Sequence, residues 1–328
     1  MKQCKRLTNP TLDAPRQQCL DLFNALCVRQ IGEHAPQVGV WTTRTYGYLP
    51  NQHQVATIGN TGRYYDATGN TVWMGPRSLE TFPPPTEEPP PEDPLESAAY
   101  SGTEQGDTSQ SSIIGQDDGD PPPGVETKTF AYNAANRLAS VSREGELTMS
   151  YRYNGKGERV YRSGSNETVY TVFDESGRWI GDYDANGQAV QQAIWLGDLP
   201  VGLARNAGAK LDYVEADALG TPRVVIDPGR DVAVWRWDLT GEAFGEDSPN
   251  EDPDGDNTAF VLDMRYPGQQ YDSATGFNYN YFRDYDPTTG RYSQSDPIGL
   301  NGGISTYGFV GGNPMTRIDP FGLKDFNA

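Results

Sequence analysis

One short phrase recurs along this chain: an aromatic residue, then Asp or Asn, then Gly or Asn three residues further on. It occurs as YDATGN at Tyr65, YNAANRL at Tyr132, YNGKGER at Tyr153, FDESGRW at Phe173, YDANGQ at Tyr183 and WDLTGE at Trp237. Two further copies, YDSATGF at Tyr271 and YDPTTGRY at Tyr285, carry one extra residue. The physics of the phrase is a strand ending in an aromatic, an Asx side chain that bonds the turn backbone, and a residue that tolerates positive φ before the next strand. Between the copies lie KTFAYN, ELTMSYRYN, ETVYTVFD, RVVIDP and VAVWRWD, short segments rich in Val, Tyr, Thr and Trp. They read as antiparallel strands. A lone hairpin is marginal in water, so the repeats must pair and stack to bury their aromatic faces. The fold expected is all-β, built from antiparallel hairpins.

One helix is expected outside that pattern. Cys19, Leu20, Phe23, Leu26, Cys27 and Ile31 fall at helical spacing, with Asp13 able to cap the start and Gly32 able to end it. A second break is marked by charge. Residues 1–79 carry eight basic and four acidic residues, residues 80–126 none and twelve, and the remainder eighteen and twenty-nine. The wholly acidic block holds FPPPTEEPPPEDP and DDGDPPPG, a composition that cannot bury enough apolar surface to offset its ordering entropy. It reads as a linker, semi-stiff where its prolines favour polyproline II. The domain plan is therefore an N-terminal segment (1–79), the linker (80–126), a repeat region (127–260), a C-terminal core (261–323) and a short tail (324–328).

Net charge is −19, which opposes binding to nucleic acid or an anionic membrane surface. No apolar run approaches the roughly 20 residues of a membrane span, and the basic start MKQCKR is followed by no apolar signal core. Export is expected by a route without a classical signal peptide, with the chain cytoplasmic beforehand. The three cysteines are odd in number and confined to the first 30 residues, so no disulfide framework is expected.

Near its end the chain repeats itself, with DPIGL at Asp296 and DPFGL at Asp319. As geometry, Asp-Pro-x-Gly is a type I turn, so Pro297, Gly299, Pro320 and Gly322 have an ordinary structural reason to be there. Two aspartates in matched turns can also be brought together by a fold. Carboxylates in contact resist ionising together, and a pair sharing one proton can activate water and protonate a leaving amide. Spacing alone leaves both readings open.

These residues carry a resemblance. The Tyr-Asp turns resemble the YD repeats of Rhs proteins, residues 211–245 resemble the Rhs repeat consensus, and residues 264–323 resemble the Rhs repeat-associated core. In that family the repeats wind into a β shell enclosing a C-terminal toxin, and the core closes the shell. The resemblance implies a bacterial polymorphic-toxin scaffold, such as those of type VI secretion. It extends to insecticidal toxin-complex C proteins, where this motif pair is an aspartyl autoprotease cutting after the final Leu. Carried over, it makes Asp296 and Asp319 the catalytic carboxylates, Leu323–Lys324 the scissile bond and Arg291 an orienting cation. Implied partners are a C-terminal toxin, its immunity protein, secretion-system spike proteins or other shell segments. Only Lys324 to Ala328 follow the cut, so the toxin is expected to lie outside this sequence. The consensus differs at Glu215, Ala218 and Ser305.

Other chemistry finds little material. With His34 and His53 the only histidines, a Ser/His/Asp or Cys/His site is not expected, and neither a nucleophile elbow nor a phosphate loop occurs. Cys4, Cys19, Cys27 and His34 lack the paired spacing of a zinc site. Asp252, Asp254, Asp256 and Asp263 stand at intervals like those of a calcium loop, but Asn257 replaces the turn glycine and the last ligand is not Glu. No cofactor or metal is expected. The alternative function is a non-catalytic surface or cell-wall protein whose exposed aromatics stack on carbohydrate.

Overall fold

The computed structural model describes residues 46–48, 54–76, 126–165, 167–239 and 243–327, all within one compact unit spanning residues 45–328. The helix expected over residues 13–31, and nearly all of the acidic linker, lie outside the described residues. The described chain is all-β. Its main sheet begins with β1 (Tyr46–Tyr48), β2 (Val55–Ile58), β3 (Thr61–Tyr65), β4 (Thr71–Pro76), β5 (Lys128–Tyr132), β6 (Leu138–Arg143) and β7 (Glu146–Tyr153). It continues with β8 (Arg159–Gly164), β9 (Thr168–Phe173), β10 (Trp179–Tyr183), β11 (Ala189–Leu196), β12 (Leu199–Arg205), β13 (Lys210–Ala216), β14 (Pro222–Asp227) and β15 (Val232–Arg236). Each strand pairs antiparallel with the next in chain order, a single meander. β4 pairs directly with β5, Trp73 opposite Thr129, so the sheet runs on across the acidic insertion and joins the strands on either side of it.

In five of its copies the repeated phrase builds one local structure. Asp174 Oδ1 accepts the amides of Ser176 and Arg178 at 2.8 and 2.9 Å, and Asp184, Asp66, Asn133 and Asn154 do the same two and four residues on. Gly177 closes its turn at φ 81°, and Asn136 takes that role at φ 59° where the phrase has no glycine. A register shift falls just before the aromatic in four copies, at Tyr64/Tyr65, Ala131/Tyr132, Arg152/Tyr153 and Asp182/Tyr183. A bulge adds local twist and bend, so each of these four turns bends its strand just before the Asx residue. Asp217 makes the same turn, accepting from Leu219 and Thr221 at 2.9 and 3.0 Å. The phrase search misses it because Ala216 stands where the aromatic should be.

One face of the sheet is filled by the chain's own C-terminal segment. That segment forms β16 (Gln270–Asp272), β17 (Phe277–Asn280), β18 (Arg283–Asp286) and β19 (Arg291–Tyr292) as a second sheet, then β20 (Arg317–Ile318) paired with β21 (Phe326–Asn327). Phe130, Leu138, Val141 and Met149 of the repeats pack on Ala274 and Phe277. Leu203, Val225 and Trp235 share a larger cluster with Leu262, Tyr285 and Phe309. Cations from β3, β5 and β8 reach across to the segment. Arg159 Nη1 meets Asp272 Oδ2 at 2.9 Å, Arg162 Nη2 meets Asp263 Oδ2 at 3.1 Å, Arg63 pairs with Asp286, and Lys128 Nζ donates to Thr275 O at 2.9 Å. The strands β17 and β18 are buried throughout although more than half their side chains are polar or charged. Such a segment stays folded only if those groups are hydrogen-bonded.

Candidate functional site

The two Asp-Pro-x-Gly turns, 23 positions apart in sequence, meet at the β18 hairpin. Each aspartate first builds its own turn. Gly299 N donates to Asp296 O at 2.9 Å and Ile298 N to Asp296 Oδ1 at 2.9 Å, while Gly322 N donates to Asp319 O at 3.4 Å. Asp296 and Asp319 are 7% and 3% exposed, so both carboxyls have left bulk water. Between them lies a guanidinium. Arg283 Nη2 stands 2.9 Å from Asp296 Oδ2 and 3.8 Å from Asp319 Oδ2, Nη1 donates to Thr306 O at 2.9 Å, and Nε donates to Gly322 O. One rigid fork therefore fixes both carboxyls and the DPFGL turn.

The Leu323–Lys324 bond lies against this pair. Asp319 Oδ1 accepts the amide hydrogens of Leu323 at 3.0 Å and Lys324 at 3.2 Å. On the other side, a methyl group placed on Gly302 would lie 2.3 Å from Asp296 Oδ2 and 2.6 Å from the carbonyl oxygen of Leu323. That carbonyl and the Asp296 carboxyl thus border one small space, kept open because residue 302 has no side chain. Burial pushes the Asp296 carboxyl above the usual carboxylate range, against the pull of Arg283, and Asp319 adds to the rise. Asp296 is thereby favoured as holder of a proton. Tyr292 donates its hydroxyl to Asp319 Oδ2 at 2.8 Å, and Asn280 Nδ2 donates to Asp319 O at 2.9 Å.

Arg291 is not the cation of this site; Arg283 is. Strand alternation gives the reason. Tyr292 stands opposite Tyr285, which shares a face of β18 with Arg283, whereas Arg291 stands opposite Asp286 on the other face. There Arg291 borders a cleft with Val55, Arg63 and Tyr65. Sequence reasoning also passed over Tyr292, Asn280 and Gly302. The signal for Tyr292 was available, since in a strand the neighbour of an outward Arg points inward.

The acidic loop resolves differently. Asp252, Asp254 and Asp256 do converge, with one oxygen from each within 4.8 Å of the others. Arg230 Nη1 stands 2.7 Å from Asp254 Oδ2 and 2.7 Å from Asp256 Oδ2, supplying the positive charge, and Asp263 instead pairs with Arg162. Cys4, Cys19, Cys27 and His34 lie outside the described residues. None of the eight phrase aromatics is exposed, whereas Tyr170 and Tyr213 on the repeat strands are. No helix among the described residues is long and apolar enough to cross a membrane.

No family model matches the chain. It is 32% identical over 219 residues to the probable deoxyribonuclease RhsB of Dickeya dadantii, covering 61% of this chain and 14% of that protein. A second Dickeya dadantii protein, the probable deoxyribonuclease RhsA, matches with the same identity and coverage. Among solved structures, the crystal structure of TcdB2-TccC3-TEV aligns with a TM-score of 0.43 at 21% identity, over 60% of this chain and 10% of that one. The match thus spans about a seventh of the length of these two relatives.

Proposed function

This chain belongs to the Rhs family of YD-repeat proteins, and on that premise we propose that it is the closing end of a toxin-delivery shell that cuts its own Leu323–Lys324 bond once. The observation that supports this most is the bracketing of that single peptide bond: its N–H on Asp319 Oδ1 and its carbonyl oxygen beside Asp296 Oδ2. In the proposed reaction Asp296, in its protonated form, donates to the Leu323 carbonyl oxygen and stabilises its developing charge. A water adds to the carbonyl carbon as Asp319 accepts one of its protons. The C–N bond then breaks as that proton passes to the Lys324 nitrogen. The products are a Leu323 carboxyl and a Lys324 amine, with Asp296 and Asp319 regenerated. Water, two carboxyls and one peptide bond balance the chemistry without a cofactor. Segments that follow Lys324 in a longer protein would be the toxin so released, with an immunity protein as its partner and export by a route without a classical signal peptide.

The test is the mass of the chain after denaturation, beside Asp296→Asn and Asp319→Asn. Denaturation matters because the tail is also held without a covalent bond: Ile318 pairs with Phe326 in β20–β21, and Arg317 pairs with Asp325. Loss of Lys-Asp-Phe-Asn-Ala from the parent alone supports self-cleavage. Retention of the tail in all three leaves the turns as shell-closing structure.

A further inference from the structure

We propose that Tyr292 is a positioning residue of this site, the group that holds Asp319 as the proton-accepting carboxylate and carries Arg283 on its ring; the proposal rests on the self-cleavage reading above. Tyr292 is 3% exposed. Its hydroxyl lies 2.8 Å from Asp319 Oδ2 and 2.8 Å from Asn280 Nδ2. The same Asn280 nitrogen donates to the main-chain oxygen of Asp319 at 2.9 Å. A carbonyl oxygen can only accept, so that contact fixes which end of the amide faces Tyr292. The amide is then a donor to the phenol, and the phenolic hydrogen is left to point at Asp319. Burial and the adjoining Asp319 charge push the Tyr292 phenol well above its ordinary range, so the group stays a neutral donor wherever the protein is folded.

The ring does separate work. The Arg283 guanidinium carbon lies 3.7 Å from the ring centroid, a stacked cation–π contact that sets the plane of the fork reaching Asp296. Edge contacts with Tyr285 and Phe309, at centroid distances of 5.9 and 5.8 Å, fix the ring in turn. One side chain thus sets the position of both carboxyls. A hydrogen bond donated to a carboxylate favours its charged form. The hydroxyl holds Asp319 Oδ2 as an acceptor, while burial favours the protonated form of Asp296, beside the carbonyl it must stabilise.

Tyr292→Phe separates the two contributions, because it keeps the ring under Arg283 and removes only the hydroxyl. Uncut chain recovered from inclusion bodies is refolded across a series of buffers from acid to neutral, and loss of the tail is followed by mass after denaturation. Circular dichroism reports folding in each buffer. The expected result is cleavage slowed about tenfold or more, with the acid limb of the rate profile displaced upward by about one pH unit. Tyr292→3,5-difluorotyrosine, which keeps the shape and donates more strongly, is expected to restore the rate and move the limb back down. A Tyr292→Phe profile that is slower but undisplaced, or unchanged, overturns the proposal while leaving self-cleavage intact. A parent that keeps its tail overturns both. If Tyr292→Phe fails to fold, the difluorotyrosine chain decides, since an undisplaced limb there overturns the proposal as well.

Discussion

Asp319 Oδ1 accepts the amide hydrogen of Lys324 at 3.2 Å. A carboxylate five residues back along the chain could reach that amide as a mere turn cap, as it does Leu323 N at 3.0 Å. What separates this arrangement from a cap is the far side of the same peptide. There a second buried carboxyl, from another turn of the same sequence, borders the carbonyl oxygen across the Gly302 gap. A turn needs one aspartate; the proposed reaction uses two. Preorganisation of this kind costs stability, because two acids are buried 23 positions apart with a single guanidinium between them.

Gly302→Ala tests that gap without touching a titratable group. The added methyl would lie 2.3 Å from Asp296 Oδ2 and 2.6 Å from Leu323 O, closer than any real contact. Residue 302 closes a short 3-10 turn, Gly299–Gly302, whose 299 position alone has positive φ, so the backbone accepts Ala while the gap does not. The expected outcome is a folded chain whose cleavage falls by about a hundredfold or more, as a displacement near 1 Å costs in a reacting geometry. Cleavage at the parent rate would show that the Asp296 carboxyl need not share space with the carbonyl.

Arg283→Lys and Arg291→Lys, compared side by side, ask which cation serves the reaction. Arg283 uses three nitrogens on four partners, Asp296, Asp319, Thr306 O and Gly322 O. A lysine offers one point charge and cannot hold that fork. Arg283→Lys should therefore slow cleavage by at least about tenfold, with a measurable loss of stability, because hydrogen bonds to buried charges are worth about 1.5–3 kcal/mol each. Arg291→Lys should leave the rate within a few-fold. The reverse ranking would place the orienting cation on the other face of β19.

The fold was legible because its signal is local. Asp174 and Asp184 write their turns with four or five residues each, and the strands between them alternate. Asp217 shows the limit of that reading, since Ala216 supplies neither ring nor warning although the hydrogen bonds are the same. The site was half legible. Asp296 and Asp319 announce themselves by repetition, whereas Arg283 belongs to no repeated phrase and its importance comes from β17–β18 pairing, in which it stands opposite Asn280. Register across a hairpin is a tertiary fact. Arg291 and Tyr292 point to opposite faces of β19, and which of them faces Arg283 is set by the pairing of Tyr292 with Tyr285.

Arg159 is one of the buried joints between the repeat sheet and the C-terminal segment. Its guanidinium, 3% exposed, meets Asp272 at 2.9 Å and lies 4.4 and 4.8 Å from the ring centroids of Tyr279 and Tyr151. Arg159→Met leaves the Asp272 charge buried without its cation and should destabilise the unit by about 3–5 kcal/mol in urea unfolding. Adding Asp272→Leu should recover part of that loss, because replacing both partners strands neither. A double variant weaker than the single would mean that the pair, rather than the avoided lone charge, holds the two layers together.

Asp284 should make stability depend on pH in a direction opposite to that of a salt-bridged acid. It is 4% exposed, accepts from Gln294 Nε2 at 2.9 Å, and burial pushes its carboxyl above the usual range despite the opposing charges of Arg159 and Arg137. Asp272 adds to the rise. A folded state that holds its proton to higher pH than the unfolded chain is favoured at low pH, fully so below the unfolded value of about 3.9, and loses that advantage as pH rises through the folded value. Asp284→Asn keeps an acceptor for Gln294 and removes the charge. The variant should therefore melt above the parent at neutral pH, and the two midpoints should converge as pH falls toward about 4. A variant that melts below the parent at neutral pH, with the gap closing in acid, would mean that Asp284 is held as a stabilised carboxylate, with Arg159 and Arg137 outweighing its burial.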